Sequence, residues 1–134
     1  MMRIDMNIYT TDNNSFNVRF LENAVVVIEK HMAITDFNMD LFSGNLNMSK
    51  SSLYRRIKSL TQLSPNEFTK NIRLKHACQL LRDQQLNISE IAYAVGFSDP
   101  KYFTACFKIA YGMTPTEYLK KLREECTEKT AVGY

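Results

Sequence analysis

The chain has little of what most enzymes and secreted scaffolds depend on. Four glycines and three prolines in 134 residues leave little room for the many tight turns of an all-β fold. Three cysteines, Cys78, Cys106 and Cys126, are an odd number without C-x-x-C spacing. A disulfide framework and a structural zinc site are both disfavoured, and a reducing cytoplasm is the expected location. No stretch approaches the ~18–20 apolar residues of a membrane span, and MMRIDMNIYT lacks the apolar run of a signal peptide. There are only two histidines, His31 and His76, neither at ligand spacing from a cysteine or aspartate. With no nucleophile–base pair, carboxylate pair or metal cluster in view, the chain is not expected to be an enzyme, and no cofactor is expected.

What is present is a hydrophobic fraction of 45%, ordinary for a folded domain, and an uneven charge. Residues 1–48 carry 3 Lys/Arg against 6 Asp/Glu, residues 49–123 carry 13 against 5, and residues 124–134 carry 1 against 3. The local balances are −3, +8 and −2. A basic central stretch favours a polyanionic partner, because neutralised phosphates release condensed counterions.

That stretch says nearly the same thing twice. Residues 38–68 read NMDLFSGNLNMSKSSLYRRIKSLTQLSPNEF, and residues 87–118 read NISEIAYAVGFSDPKYFTACFKIAYGMTPTEY. Phe42 matches Ile91, Leu46 matches Val95, Met48 matches Phe97 and Ser49 matches Ser98 at one offset. One extra residue then enters the second copy. Thereafter Leu53 matches Phe103, Ile57 matches Phe107, Ser64-Pro65 matches Thr114-Pro115 and Glu67 matches Glu117. Each copy has the layout of a helix-turn-helix unit, so the chain reads as a two-headed DNA reader.

Apolar spacing predicts a first helix over residues 16–32, where Leu21, Ala24, Val25, Ile28 and Met32 recur with helical period. The run Val25-Val26-Val27-Ile28 would suit a strand, but its charged flanks favour a helix. Further helices are predicted over 39–45, 50–60, 65–82, 88–95, 100–110 and 115–124. Leu53, Ile57 and Leu60 set the inner face of helix 50–60. Phe103, Phe107 and Ala110 set that of helix 100–110. Ser64-x-x-Glu67, Asn87-x-x-Glu90 and Thr114-x-x-Glu117 have capping-box spacing. Asn47 and Gly96 fall where such motifs need a left-handed residue.

The run IRLKHACQLLRDQQLNISEIAYAVGFSDPKYFTACFKIAYGMTPTEYL resembles the C-terminal DNA-binding domain of AraC/XylS-type transcription regulators. The matching residues are Arg73-Leu74, Ala77, Leu80-Leu81, Ile91-Ala92, Gly96-Phe97-Ser98-Asp99, Tyr102-Phe103, Phe107-Lys108 and Gly112-Met113-Thr114-Pro115. The likeness covers about residues 18–122. It is greatest to the output domains of Bacteroides-type hybrid two-component sensors.

The resemblance implies an all-α fold of seven helices in one domain over 16–124. A linker or disordered stretch would occupy residues 1–15 and a disordered tail residues 125–134. Units at 38–63 and 87–112 would flank a linker helix at 65–82. Each unit would set one recognition helix in the major groove of double-stranded DNA, one turn of about 34–36 Å apart. RNA polymerase is a further candidate partner, and any oligomerisation would run through sequence outside this chain. Two alternatives stand beside this reading: a stand-alone small AraC-type regulator, and a helical protein-interaction module without DNA binding.

Outward geometry and the resemblance agree on Ser51, Tyr54 and Arg55 as base readers in the first recognition helix. A guanidinium at Arg55 can bridge guanine O6 and N7. In the second helix Lys101, Tyr102 and Ala105 fall at base-reading positions. Many family members carry arginine where this chain has Ala105, which leaves a thymine methyl as the contact open to it. The second unit then either reads through Lys101 or adds mainly backbone affinity. Ser49, Lys50, Arg56, Lys58, Ser98, Thr104 and Lys108 are the phosphate candidates, which position without specifying.

Overall fold

A computed structural model describes residues 15–33 and 37–131, and helices are its only regular elements among them. The helices are α1 (Ser15–Lys30), α2 (Met39–Asn45), α3 (Lys50–Thr61), α4 (Pro65–Asp83), α5 (Ile88–Ala94), α6 (Pro100–Tyr111) and α7 (Pro115–Ala131). The chain separates into two compact units, Met1–Arg73 and Leu74–Tyr134, with α4 running through the boundary.

In the first unit α1 is helical through its β-branched run. Phe20, Leu21, Ala24, Val25, Val27 and Ile28 are all buried, whereas Val26 is exposed. Burial of one helical stripe overrides local strand propensity here. His31 Nδ1 donates to the Val27 carbonyl at 2.8 Å and satisfies one of the helix's terminal acceptors. Phe42 of α2, Leu53 and Ile57 of α3, and Phe68 and Ile72 of α4 complete this core. The second unit buries Leu74, Ala77 and Leu81 of α4 with Ile91, Ala92, Val95, Phe97, Phe103, Cys106 and Phe107. Its rings form a chain: Phe97 to Phe103 at 5.3 Å, Phe103 to Phe107 at 5.9 Å, and Phe107 to Tyr118 at 5.6 Å between centroids. Each tilted ring pair adds ~0.5–1.5 kcal/mol beyond its buried area.

Three details depart from the sequence reading. Ala110 is exposed, and Cys106 takes the inward place beside Phe103 and Phe107. In the last turn of α6 Ile109 and Ala110 meet solvent, whereas the Tyr111 ring packs on Phe107 at 4.7 Å between centroids. The helix α7 continues to Ala131, beyond the end expected at 124. The expected linker, apart from Ser15, and the last three residues of the expected tail lie outside the described residues. Finally, the extra residue of the second copy sits in the turn. Four residues, 46–49, join α2 to α3, and five, 95–99, join α5 to α6. The cap equivalent to Ser49 is therefore Asp99, and Ser98 is the insertion.

Candidate nucleic-acid interface

Both turns are built the same way. The N–H of Asn47 donates to Gly44 O at 3.1 Å and that of Met48 to Ser43 O at 2.9 Å. In the second copy Gly96 donates to Tyr93 O at 3.1 Å and Phe97 to Ala92 O at 2.9 Å. These paired bonds close the orphan carbonyls of α2 and α5 and require a left-handed residue after the cap. Asn47 has φ 57° and Gly96 φ 96°. Met48 and Phe97 then turn inward and fix where α3 and α6 begin.

The start of α3 is capped by Ser49, whose hydroxyl accepts from the Ser52 N–H at 3.2 Å and donates to Ser52 Oγ at 2.9 Å. Leu53, Ile57 and Thr61 anchor its inner side. Ser51, Tyr54, Arg55 and Lys58 are consequently exposed, as their spacing predicted. Ser52, Arg55 and Ser59 border an open cleft with Asn17 of α1, Met48, Arg56 and Leu60. Ser52, Ser59 and Asn17 were not singled out from the sequence. The signal for the two serines was their i−3 and i+4 spacing from Arg55.

Three phosphate candidates in this unit already have protein partners. Lys50 Nζ lies 3.0 Å from Asp40 Oδ1, an exposed pair. Lys58 Nζ donates to the Gln62 carbonyl at 3.1 Å, at the end of α3. Arg56 is half-buried, its guanidinium 4.1 Å from the Phe20 ring centre and 5.1 Å from that of Phe16. A weakly hydrated planar cation is suited to stacking on these rings.

In the second unit Asp99 accepts from the Lys101 N–H at 3.0 Å, and Pro100 opens α6. Phe103, Cys106 and Phe107 face the core. Lys101, Tyr102, Ala105 and Lys108 are exposed, Thr104 is half-buried and Ser98 is exposed in the turn. The Tyr102 ring leans on Phe97, 5.9 Å between centroids, so its position is fixed from below.

Both recognition helices end alike. Gln62 and Gly112 adopt left-handed φ values of 67° and 76°, donating to Lys58 O and Lys108 O. The following helices open on reciprocal caps. Ser64 N–H donates to Glu67 Oε1 at 3.2 Å and Glu67 N–H to Ser64 Oγ at 3.1 Å. Thr114 and Glu117 repeat this at 3.0 and 3.1 Å. The bond from the Ser64 backbone, then that from its hydroxyl, holds the Glu67 carboxyl below the usual carboxylate range, with Lys58 adding a smaller pull. Thr114 and Lys108 act likewise on Glu117.

Burial pushes the Cys78 thiol up against the opposing bonds from Tyr111 and Tyr118, which keeps it protonated at neutral pH. Among the described residues no three His, Cys, Asp or Glu side chains gather to hold a metal ion, and no helix is long and apolar enough to cross a membrane.

The helix-turn-helix domain family matches residues 42–121 of this chain. Histidine kinase P4 of Formosa agariphila is 40% identical over 112 residues, 84% of this chain and 8% of that protein. The C-terminal domain of AraT, a response regulator from Geobacillus stearothermophilus, is 33% identical with a TM-score of 0.68, covering 75% of this chain and 84% of that one. The DNA-binding domain of AdpA, a global transcriptional factor solved with a target DNA, is 25% identical with a TM-score of 0.71, covering 78% and 94%. The chain spans 8% of the kinase and 28%, 29% and 32% of three other curated regulators that it matches.

Proposed function

Since the chain belongs to the AraC-type family of helix-turn-helix DNA-binding regulators, we propose that it binds a specific double-stranded DNA site and regulates transcription. The helices α3 and α6 enter successive major grooves, and phosphate contacts set the register. Arg55 reads a base through its guanidinium, with Ser51 and Tyr54 beside it. Lys101, Tyr102 and Ala105 serve the second half-site. Ser49, Lys50, Arg56, Lys58, Ser98, Thr104 and Lys108 face the backbone. The reading is carried by the twice-built turn, which leaves the outer sides of α3 and α6, with Arg55 and Lys58 on one and Lys101 and Lys108 on the other, in solvent while their buried sides anchor them.

Selection from a random duplex pool tests it. Enriched sequences should contain two short motifs about 10 bp apart. Affinity should fall ~10³–10⁵-fold between 50 and 200 mM salt if 6–10 phosphates are engaged. A pool without enrichment, or binding indifferent to salt, overturns the proposal and favours a protein-interaction module.

The match to a histidine kinase supports a second element of the proposal: in the cell this segment is the output domain of a longer signalling protein. An antibody against this segment should detect a product several times its size. Detection of a species no longer than this chain would reject that part alone.

A further inference from the structure

The internal duplication lets one recognition helix serve as the reference for the other. Aligned cap to cap, α3 and α6 bury equivalent residues: Leu53 and Ile57 in one, Phe103 and Phe107 in the other. Their outer positions differ in kind. Where α3 carries Ser52, Arg55 and Ser59, α6 carries Tyr102, Ala105 and Ile109. These three are exposed, Tyr102 at 55% and Ile109 at 87%. At 100° per residue they fall within about 60° of arc, so they form one strip. A scattered exposed isoleucine needs no explanation. An exposed apolar strip that replaces a polar one, flanking the buried side of the helix, does.

Beside the strip Lys101 and Lys108, two turns apart, form a second column and are exposed. A partner must therefore be apolar along its middle and anionic along its edge. The major groove of an A·T-rich segment has that character: 5-methyl groups of thymine line the floor and phosphates flank it. Tyr102 and Ile109 are separated by seven residues, about 10.5 Å along the axis, or about three base-pair steps of 3.4 Å.

We infer that α6 reads thymine methyl groups through this strip, and that Ile109 is a specificity-determining residue at its far end. The inference rests on the DNA-binding reading above and adds the chemistry of the second half-site. Burying one methyl is worth about a fourfold change in affinity.

The test replaces thymine by deoxyuridine, which removes the methyl and keeps the Watson–Crick edge, in one half-site at a time of a duplex enriched by selection. The intact chain should bind the substituted duplex about fourfold more weakly per contacted methyl in one half-site only. Ile109→Ala, at a position so exposed that folding is untouched, should bind the thymine duplex more weakly and lose about fourfold of the thymine-to-uracil discrimination. Circular dichroism of the variant should match the parent. Equal affinity for thymine and uracil duplexes overturns the inference while leaving DNA binding intact. Full discrimination retained by Ile109→Ala removes Ile109 from the reading strip. A variant with altered self-association and unaltered duplex binding assigns the strip to a second copy of the chain instead. Failure of the intact chain to bind any duplex defeats the DNA-binding reading itself.

Discussion

Asn47 and Gly96 hold the same left-handed corner in the two copies, at φ 57° and 96°, each one residue ahead of an inward-turning side chain that seats the recognition helix. A residue with a Cβ is disfavoured there by ~1–2 kcal/mol, with asparagine the best tolerated exception. Gly96→Ala should destabilise the second unit by about that amount, and Asn47→Val the first. Asn47→Gly should be nearly neutral. Denaturant midpoints measure all three, and an unchanged midpoint for Gly96→Ala would contradict a strained corner.

How much of this was legible beforehand follows from the kind of signal. Helix positions were readable because caps and period agree: Ser49, Ser64, Asn87, Asp99 and Thr114 each bond the backbone where a start was expected. The exposed set on α3 was readable because Leu53 and Ile57 fix its inner side. Ala110 was misjudged because period alone does not say where a core stops. The partners of Arg56 were not legible, since Phe16 and Phe20 lie some forty residues earlier and only tertiary packing brings them over the guanidinium. The Ser49–Ser98 pairing failed because identity of residue type outweighed the capping role, which passes to Asp99.

The contact of the Arg56 guanidinium with the Phe20 and Phe16 rings ties α1 to α3. Arg56→Ala should lower the denaturation midpoint by the equivalent of about 1 kcal/mol. Arg56→Lys keeps the charge but not the flat stacking surface and should restore less than half of the loss. Full restoration by lysine would show that charge alone matters at this position.

Asp40 places a carboxylate 3.0 Å from the Lys50 ammonium at the start of α3. The pair is exposed and worth little to stability, ~0–1 kcal/mol. Its removal should matter more for a polyanion. Asp40→Asn should strengthen duplex binding about two- to threefold for every sequence, through one less repelling charge. Fluorescence anisotropy with specific and scrambled duplexes measures this; a gain confined to one sequence would speak against a backbone effect.

Arg55 and Lys58 both face solvent on α3, yet Lys58 already donates to the Gln62 carbonyl while the Arg55 guanidinium borders the cleft with Ser52 and Ser59. Arg55→Ala should relax preference at one or two base pairs, at ~1–3 kcal/mol, whereas Lys58→Ala should weaken all sequences alike and reduce the salt slope by about one. Binding-site selection repeated with each variant separates the two. An unaltered preference profile for Arg55→Ala would remove it from base reading.

Glu67 and Glu117 close the caps of α4 and α7, and each carboxyl is held below the usual range by the serine or threonine that it caps. A carboxylate whose folded value is lowered adds stability that is complete above its unfolded value, near 4.3. That stability is lost as the pH falls through the lower folded value. The chain should therefore lose stability progressively below about pH 4.3 as both caps protonate. Glu67→Gln and Glu117→Gln keep an acceptor oxygen for the cap but remove the titration. Each should have a lower denaturant midpoint than the parent at pH 6 and a smaller drop between pH 6 and pH 3.5. Because the two caps belong to different recognition helices' exits, the double variant should flatten the profile by the sum of the single effects. A double variant that falls as steeply with acid as the parent would place the acid sensitivity in other groups.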